Sequence, residues 1–207
     1  MEDKINTIRK WLGPGSINIF GLPMSGKDTQ GMKLAEVLGA EFLSSGMIIR
    51  EMEKETNQDL TGSGNLIPTN VFYEWVLPYF ERRELFNKPL VLSSIGRWSG
   101  EENQVMSVAK GADHEIMAAI VLVISESDAK QRFAAAKELG DRGERADDSD
   151  LSILENRLSE FREKTVPVLQ HYKNLDLLIE VNGSQSREEV FNEILEKLYE
   201  RASTLSV

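Results

Sequence analysis

A short β-branched run, SINIF (16–20), passes straight into the loop GLPMSGKDTQ (21–30), and a helix-period run through Met32, Leu34 and Leu38 follows. That order restricts the fold more than any other feature of the chain. A loop that leaves a strand and opens a helix turns its backbone N–H groups toward one point, and glycines let the backbone close on an anion there. Gly21, Gly26 and Lys27 fit the spacing G-x-x-x-x-G-K of a phosphate-binding loop, with the lysine as a point charge for the outer phosphates. The pattern ordinarily ends in a hydroxyl that helps hold Mg²⁺. Here Asp28 stands in that place and Thr29 comes next.

The rest of the chain supplies the sheet this loop needs. EFLSS (41–45), NKPLVLSS (87–94), AAIVLVIS (118–125) and DLLIEV (176–181) read as strands, the last three as the continuous apolar runs of parallel strands covered on both faces. Helical patterns lie between them at 71–80, 105–109, 129–139 and 151–172. A final stripe of Val190, Phe191, Ile194, Leu195 and Leu198 is opposed by Glu and Lys. Strand and helix alternate throughout, so the expected fold is α/β, a three-layer parallel sheet with crossover helices. A length of 207 residues suits a single domain over 1–207, which includes an N-terminal helical extension at 1–15. The polar stretches 50–65 and 136–150 break the rhythm and read as long loops, of the kind that close over a substrate.

Charge and composition exclude several classes. With 24 basic residues against 34 acidic ones, the net charge is −10 and no basic cluster appears, so no nucleic-acid partner is expected. The absence of cysteine removes disulfides and thiolate zinc sites. The N-terminal stretch does not read as a signal peptide, and no apolar run is long enough for a membrane span. A cytoplasmic monomer without membrane contact is the expectation. His114 and His171 read as structural, Trp11 and Trp75 as core, and Trp98 as a residue able to stack on a base.

The loop GLPMSGKDTQ, with Pro23, Met24, Ser25, Thr29 and Gln30, resembles the G-x-P-G-x-G-K-G-T-Q loop of adenylate kinases and related nucleoside monophosphate kinases, and further matches follow in that family's order. SSGMIIR (44–50) resembles its S-T-G-D-x-x-R element, which implies Arg50 on the acceptor phosphate with Ser45 and Gly46 beside the base. GNLIP (64–68) is similar to the segment whose backbone lines the acceptor base pocket, implicating Asn65, Leu66 and Ile67. IGRW (95–98) stands where the family has D-G-F-P-R, which implies Ser94 and Arg97 at the acceptor and Gln104 as a base reader. RADD (145–148) and NRL (156–158) resemble the lid and the arginine after it, so Arg132, Arg145 and Arg157 would close over the donor. VNGSQS (181–186) is similar to the turn at the donor adenine, with Gly183 and Gln185. What the resemblance implies is an ATP-dependent, Mg²⁺-dependent kinase acting on AMP or another nucleoside monophosphate. It would be built on a P-loop fold with an acceptor-binding excursion at 44–68 and a short lid at 136–150.

Four departures mark the chain as divergent. Ser93 stands where the family carries a strand-end aspartate for Mg²⁺, and Ser94 replaces the glycine after it. Asp28 replaces a glycine in the loop, and Ala136 with Lys137 stands where a second lid-hinge arginine is usual. Since Mg²⁺ beside phosphates takes one or two carboxylates, the first and third departures together suggest a carboxylate moved from the strand to Asp28, with Thr29 beside it. A catalytically silent nucleotide-binding protein, with Asp28 merely capping its helix, is the other reading open.

Overall fold

The computed structural model describes residues 1–62, 64–139 and 150–205. Five parallel strands form one sheet in the order β2-β3-β1-β4-β5: β1 (Ser16–Gly21), β2 (Glu41–Ser44), β3 (Leu90–Ser93), β4 (Ile116–Val123) and β5 (Leu178–Asn182). β1 is central, pairing Ile17 with Val91 of β3 on one side and with Ala118 of β4 on the other. The expected α/β parallel sheet is present, with helices on both faces.

Side-chain alternation explains why the strands read as continuous apolar runs. Ile17, Ile19, Val91, Ala118 and Ile120 face a layer formed by α1 (Glu2–Leu12), α2 (Lys27–Leu38) and α9 (Arg187–Leu205). Phe20, Leu90, Leu92, Ala119 and Val121 face the opposite layer, built from α3 (Ser45–Thr56), α4 (Thr69–Trp75), α5 (Glu101–Gly111) and α8 (Val166–Asn174). Each fully buried Ile or Leu contributes roughly 1.5–3 kcal/mol, so neither layer is dispensable. The N-terminal helix belongs to the first layer: Ile8 and Leu12 are buried beside Ile194 and Leu198. A smaller cluster of Ile124, Ala129, Phe133, Leu154 and Leu158 joins α6 (Glu126–Leu139) and α7 (Leu151–Glu160) to Leu22 and Met24 of the glycine-bearing loop.

Several local readings change. The polar stretch from 50 onward is not all loop, because α3 runs to Thr56 with Ser45, Ile48 and Ile49 as its buried residues, all before position 50. Its outward face is solvated, which is why composition alone makes it look irregular. The helix expected over 71–80 splits: α4 gives way to a 3-10 turn (Leu77–Glu81) at Pro78, which has no N–H for an α-helical bond. The long helix expected over 151–172 is likewise interrupted by a π turn (Phe161–Thr165), where Val166 N–H donates to the Phe161 carbonyl. Pro167 follows at once, and it can neither donate to nor sterically tolerate the carbonyl four residues back. Asp150 caps α7, its side chain accepting from Ser152 N–H.

Two buried polar links fix the loop after β3. Asn18, facing the α5 layer from the central strand, donates through Nδ2 to the Ile95 carbonyl (2.8 Å) and accepts from Ile95 N–H (3.2 Å). Ser45 Oγ donates to the Ser94 carbonyl at 2.8 Å. The chain beyond β3, including Arg97, is therefore pinned to β1 and to the start of α3.

Candidate active site

The cleft lies beyond the C-terminal ends of β1 and β3. The chain leaves β1 toward one sheet edge and returns from β3 to β4 on the other side, the switch point at which open α/β sheets carry their ligands. The loop after β1 takes two left-handed residues, Met24 (φ 68°) and Gly26 (φ 87°), before α2 begins at Lys27. A non-glycine residue in that region costs on the order of 1 kcal/mol, so Met24 is held there by its neighbours. Gly21 is required by space, since a Cβ there would lie 2.4 Å from Ser25 Oγ.

One cleft gathers most of the residues expected from the sequence. Gly21, Pro23, Lys27 and Asp28 line one wall, and Ser45, Gly46 and Arg50 come from α3. Asn65 and Leu66 come from the strap before α4, Ser94 and Arg97 from the loop after β3, and Arg157 from α7. Gly46 lets Arg50 fold back along its own helix: a Cβ there would stand 3.1 Å from Arg50 Nη1. Gly64 (φ 80°) does the same for Arg157, whose Cγ would be 3.1 Å from an added Cβ. The strap is tied to α7 by Leu66 N–H on Glu160 Oε2 (3.1 Å) and Asn156 Nδ2 on Asn65 Oδ1 (2.8 Å).

The cleft is strongly cationic in its centre. Burial, and secondly the charge of Arg157, lower the Arg97 pKa to about 10, against the pull of Glu101, Asp28 and Glu160. Arg97 stays protonated at neutral pH, at a cost that an incoming anion would remove.

Asp28 faces the end of β3, where Ser93 Oγ donates to Asp28 Oδ1 at 2.5 Å. Carboxylate and strand-end hydroxyl are thus direct partners across the loop. No cluster of three His, Cys, Asp or Glu side chains able to hold a metal exists among the described residues. A divalent ion here would need phosphate oxygens and water besides Asp28, which is the way Mg²⁺ is ordinarily held in phosphate sites. Thr29 is exposed and outside the cleft lining.

The other expected residues sit elsewhere. Arg132 donates to the Met24 carbonyl (3.3 Å) and the Gly183 carbonyl (2.7 Å), linking the loop to the turn after β5. Gln185 is held in that turn by Asn182 and Glu193. Gln30 is buried and donates to the Arg187 carbonyl (2.8 Å), joining α2 to α9. Gln104 is exposed on α5, outside the lining of the cleft and of its side recess. It lies a turn beyond the helix end that meets the recess, and Glu101 lines the recess in its place. Arg145, with Arg142, Asp147 and Asp148, lies outside the described residues, as does most of the lid expected at 136–150.

Sequence reading missed Glu101, Glu160 and Thr165. Thr165, buried in the π turn, donates to the Arg97 carbonyl at 3.2 Å. A small recess adjoins the cleft, sharing Ser45, Ile49, Leu66, Ser94 and Arg97 with it and adding Ile67, Phe72, Gly96, Trp98 and Glu101. Lys164 Nζ stands 3.9 Å from the centre of the Trp98 ring.

No protein-family model matches the chain. Whole-length relatives do. It is 28% identical to the adenylate kinase of Elusimicrobium minutum (strain Pei191), over 86% of this chain and 95% of that one. It is 27% identical to the UMP-CMP kinase of Lentinula edodes, over 84% and 81%. Along most of its length the chain is similar to nucleoside monophosphate kinases. The adenylate kinase of Azobacteroides pseudotrichonymphae genomovar. CFP2 adds a further match, 27% identical over 88% of this chain and 96% of that one. Among solved structures, a gluconokinase from Sinorhizobium meliloti 1021 superposes with a TM-score of 0.62 at 20% identity, covering 93% of this chain and 96% of that one. At that identity the likeness speaks for the fold alone.

Proposed function

We propose that this kinase relative transfers the terminal phosphoryl group of ATP to a nucleoside monophosphate, with AMP as the first candidate acceptor. The observation that carries the reading is one cleft lined by Lys27 and Asp28 on the loop side and by Arg50, Arg97 and Arg157 opposite. Phosphoryl transfer asks a protein mainly to align two anions and to neutralise the group in flight, and arginine forks suit that task. In this reading the loop amides and Lys27 hold the donor phosphates, and Arg50 and Arg97 hold the acceptor phosphate. Arg157 would serve both, and Arg132 and Arg145 would act on the donor. An oxygen of the acceptor phosphate attacks the γ-phosphorus, the bond to the β–γ bridging oxygen breaks, and the products are ADP and a nucleoside diphosphate.

Asp28, oriented by Ser93, is the residue that would hold Mg²⁺ on the donor phosphates. The ion would supply charge neutralisation there.

AMP is favoured because adenylate kinases recur among the relatives. The UMP-CMP kinase relative supports a pyrimidine acceptor as the second reading. Coupled assay of ADP formation from ATP with AMP, CMP, UMP and GMP tests both. Turnover above the ATP-only background is expected with at least one acceptor, and none with any of the four would overturn the proposal.

A further inference from the structure

Two buried carboxylates at the start of α5 hold the turn that carries Arg97. Glu101 Oε2 accepts from Arg97 N–H and Trp98 N–H, both at 3.0 Å, and Glu102 Oε2 accepts from Gly100 N–H at 2.6 Å. The turn ends on Gly100 in a left-handed conformation (φ 102°), and Glu102 is what holds that end. Glu102 is 4% exposed. A carboxylate out of water is costly unless hydrogen bonds and a cation compensate it, and Glu101 sets a second negative charge beside it. Among the described residues, the cation at ion-pair distance is His171 of α8, whose Nδ1 stands 3.9 Å from Glu102 Oε1. At that length the contact is a charge interaction and not a hydrogen bond, so it exists only while the imidazole is protonated. The ring is partly exposed and meets Tyr172 edge-on.

The other ionisable groups around the pair do not compete for it. Burial, then Glu101 and Glu102, raise the Tyr73 pKa on α4. Burial raises that of Tyr172 on α8, with Asn18 of β1 pulling it down and Glu102 adding to the rise. Both phenols are therefore neutral wherever a histidine titrates. Lys173 of α8 pairs with Glu180, and Lys164 over the Trp98 ring pairs with Glu160. Arg97 keeps its charge up to about pH 10.

We infer that Glu102 is a positioning residue, through which the charge of His171 sets how firmly the turn bearing Arg97 is held for the acceptor phosphate. This rests on the reading of Arg97 as an acceptor ligand. With His171 protonated, the Glu102 carboxylate is compensated and keeps its bond from Gly100 N–H. With His171 neutral, Glu102 faces Glu101 without a countercharge, and the turn loosens at its glycine end. The sign follows: acceptor binding is tightest below the titration of His171 and weakens as pH rises through it. His171→Arg carries the charge at any pH and keeps the tight form. His171→Phe preserves a ring edge against Tyr172 and gives the loose form throughout.

Two measurements test it. In an NMR titration over the histidine range, about pH 5 to 8, the Gly100 and Arg97 amide resonances should move with the midpoint of the His171 ring and stand still in His171→Phe. Calorimetry and steady-state kinetics with AMP and CMP should show acceptor affinity falling about 2–5-fold over that range in the wild type relative to His171→Arg, the scale of a partly exposed ion pair. The change should lie in the acceptor KM, with kcat and ATP binding unmoved. Taking the ratio of the two proteins removes the titration of the phosphate itself. Amides that ignore His171, or a ratio constant with pH, would overturn the inference. So would a melting temperature that follows His171 while acceptor affinity does not, which would leave Glu102 with a structural role alone. A pH step in acceptor binding without turnover would support Glu102 and count against phosphoryl transfer. Turnover with a constant ratio would do the reverse, and a protein that binds no monophosphate would overturn both.

Discussion

Replacing Arg97 by Met should make the ligand-free protein more stable while removing acceptor binding. Met keeps an unbranched apolar stem in a partly apolar surrounding and removes a charge the fold holds at a cost. Burial and Arg157 lower the Arg97 pKa from its ordinary value to about 10, which corresponds to about 3 kcal/mol against the charged form, net of the carboxylates nearby. The sign follows from linkage. The folded value lies below the unfolded one, so the cost is present in full at any pH below about 10 and fades above it. Allowing for relaxation and water, a gain of about 1–3 kcal/mol is expected at pH 7, or a rise in Tm of about 3–10 °C for a chain of this size. Urea unfolding with an unchanged m-value measures it. Adding AMP should reverse the order: at a hundredfold excess over Kd it stabilises the wild type by about 2.7 kcal/mol and should leave the variant unmoved. A ligand-free variant more than about 1 kcal/mol less stable than wild type, or equal stabilisation of both by AMP, would refute the reasoning.

Three further outcomes follow from particular contacts. Asn18→Ala leaves the Ile95 N–H and carbonyl without their partners, which should cost about 2–4 kcal/mol in urea unfolding and raise KM for the acceptor as the loop bearing Arg97 loosens. Gly64→Ala places a Cβ 2.9 Å from Ile153 Cγ2 and 3.0 Å from its carbonyl on a left-handed backbone; a loss of about 1–3 kcal/mol and a weakened acceptor KM are expected from thermal melts and steady-state kinetics. Asp28→Asn should reduce Mn²⁺ affinity of the ATP-bound protein by about tenfold or more in electron paramagnetic resonance titrations, and unchanged affinity would leave Asp28 as no more than a partner of Ser93.

The sequence carried the fold because the strands are covered on both sides: Ile17 and Ile19 serve one layer, Phe20 the other, and the run reads as apolar throughout. It carried the cleft wherever a motif is local, as at Lys27, Arg50 and Arg97. It failed where function depends on a fold-made environment. Glu101 and Glu102 stand side by side after Gly100 and look like a solvated helix start, yet both are buried. The choice of Gln104 followed residue type, since an exposed amide and a buried carboxylate cannot be told apart without the turn that binds Oε2. Glu160 and Thr165 were hidden for another reason: the π turn that aims Thr165 at Arg97 has no hydrophobic period of its own, and its only trace in the sequence is Pro167. Helix α3 was obscured because its buried residues, Ser45, Ile48 and Ile49, all fall in its first half.

Titration of the protein with a two-headed analogue, two adenosines joined through a chain of phosphates, bears most directly on whether one cleft holds donor and acceptor together. Calorimetry should give one equivalent bound, tighter than ATP or AMP separately, with the affinity lost in Lys27→Met. Two equivalents, an affinity no better than that of ATP, or binding untouched by Lys27→Met would contradict a cleft in which Lys27 and Arg97 grip the two ends of a single transfer.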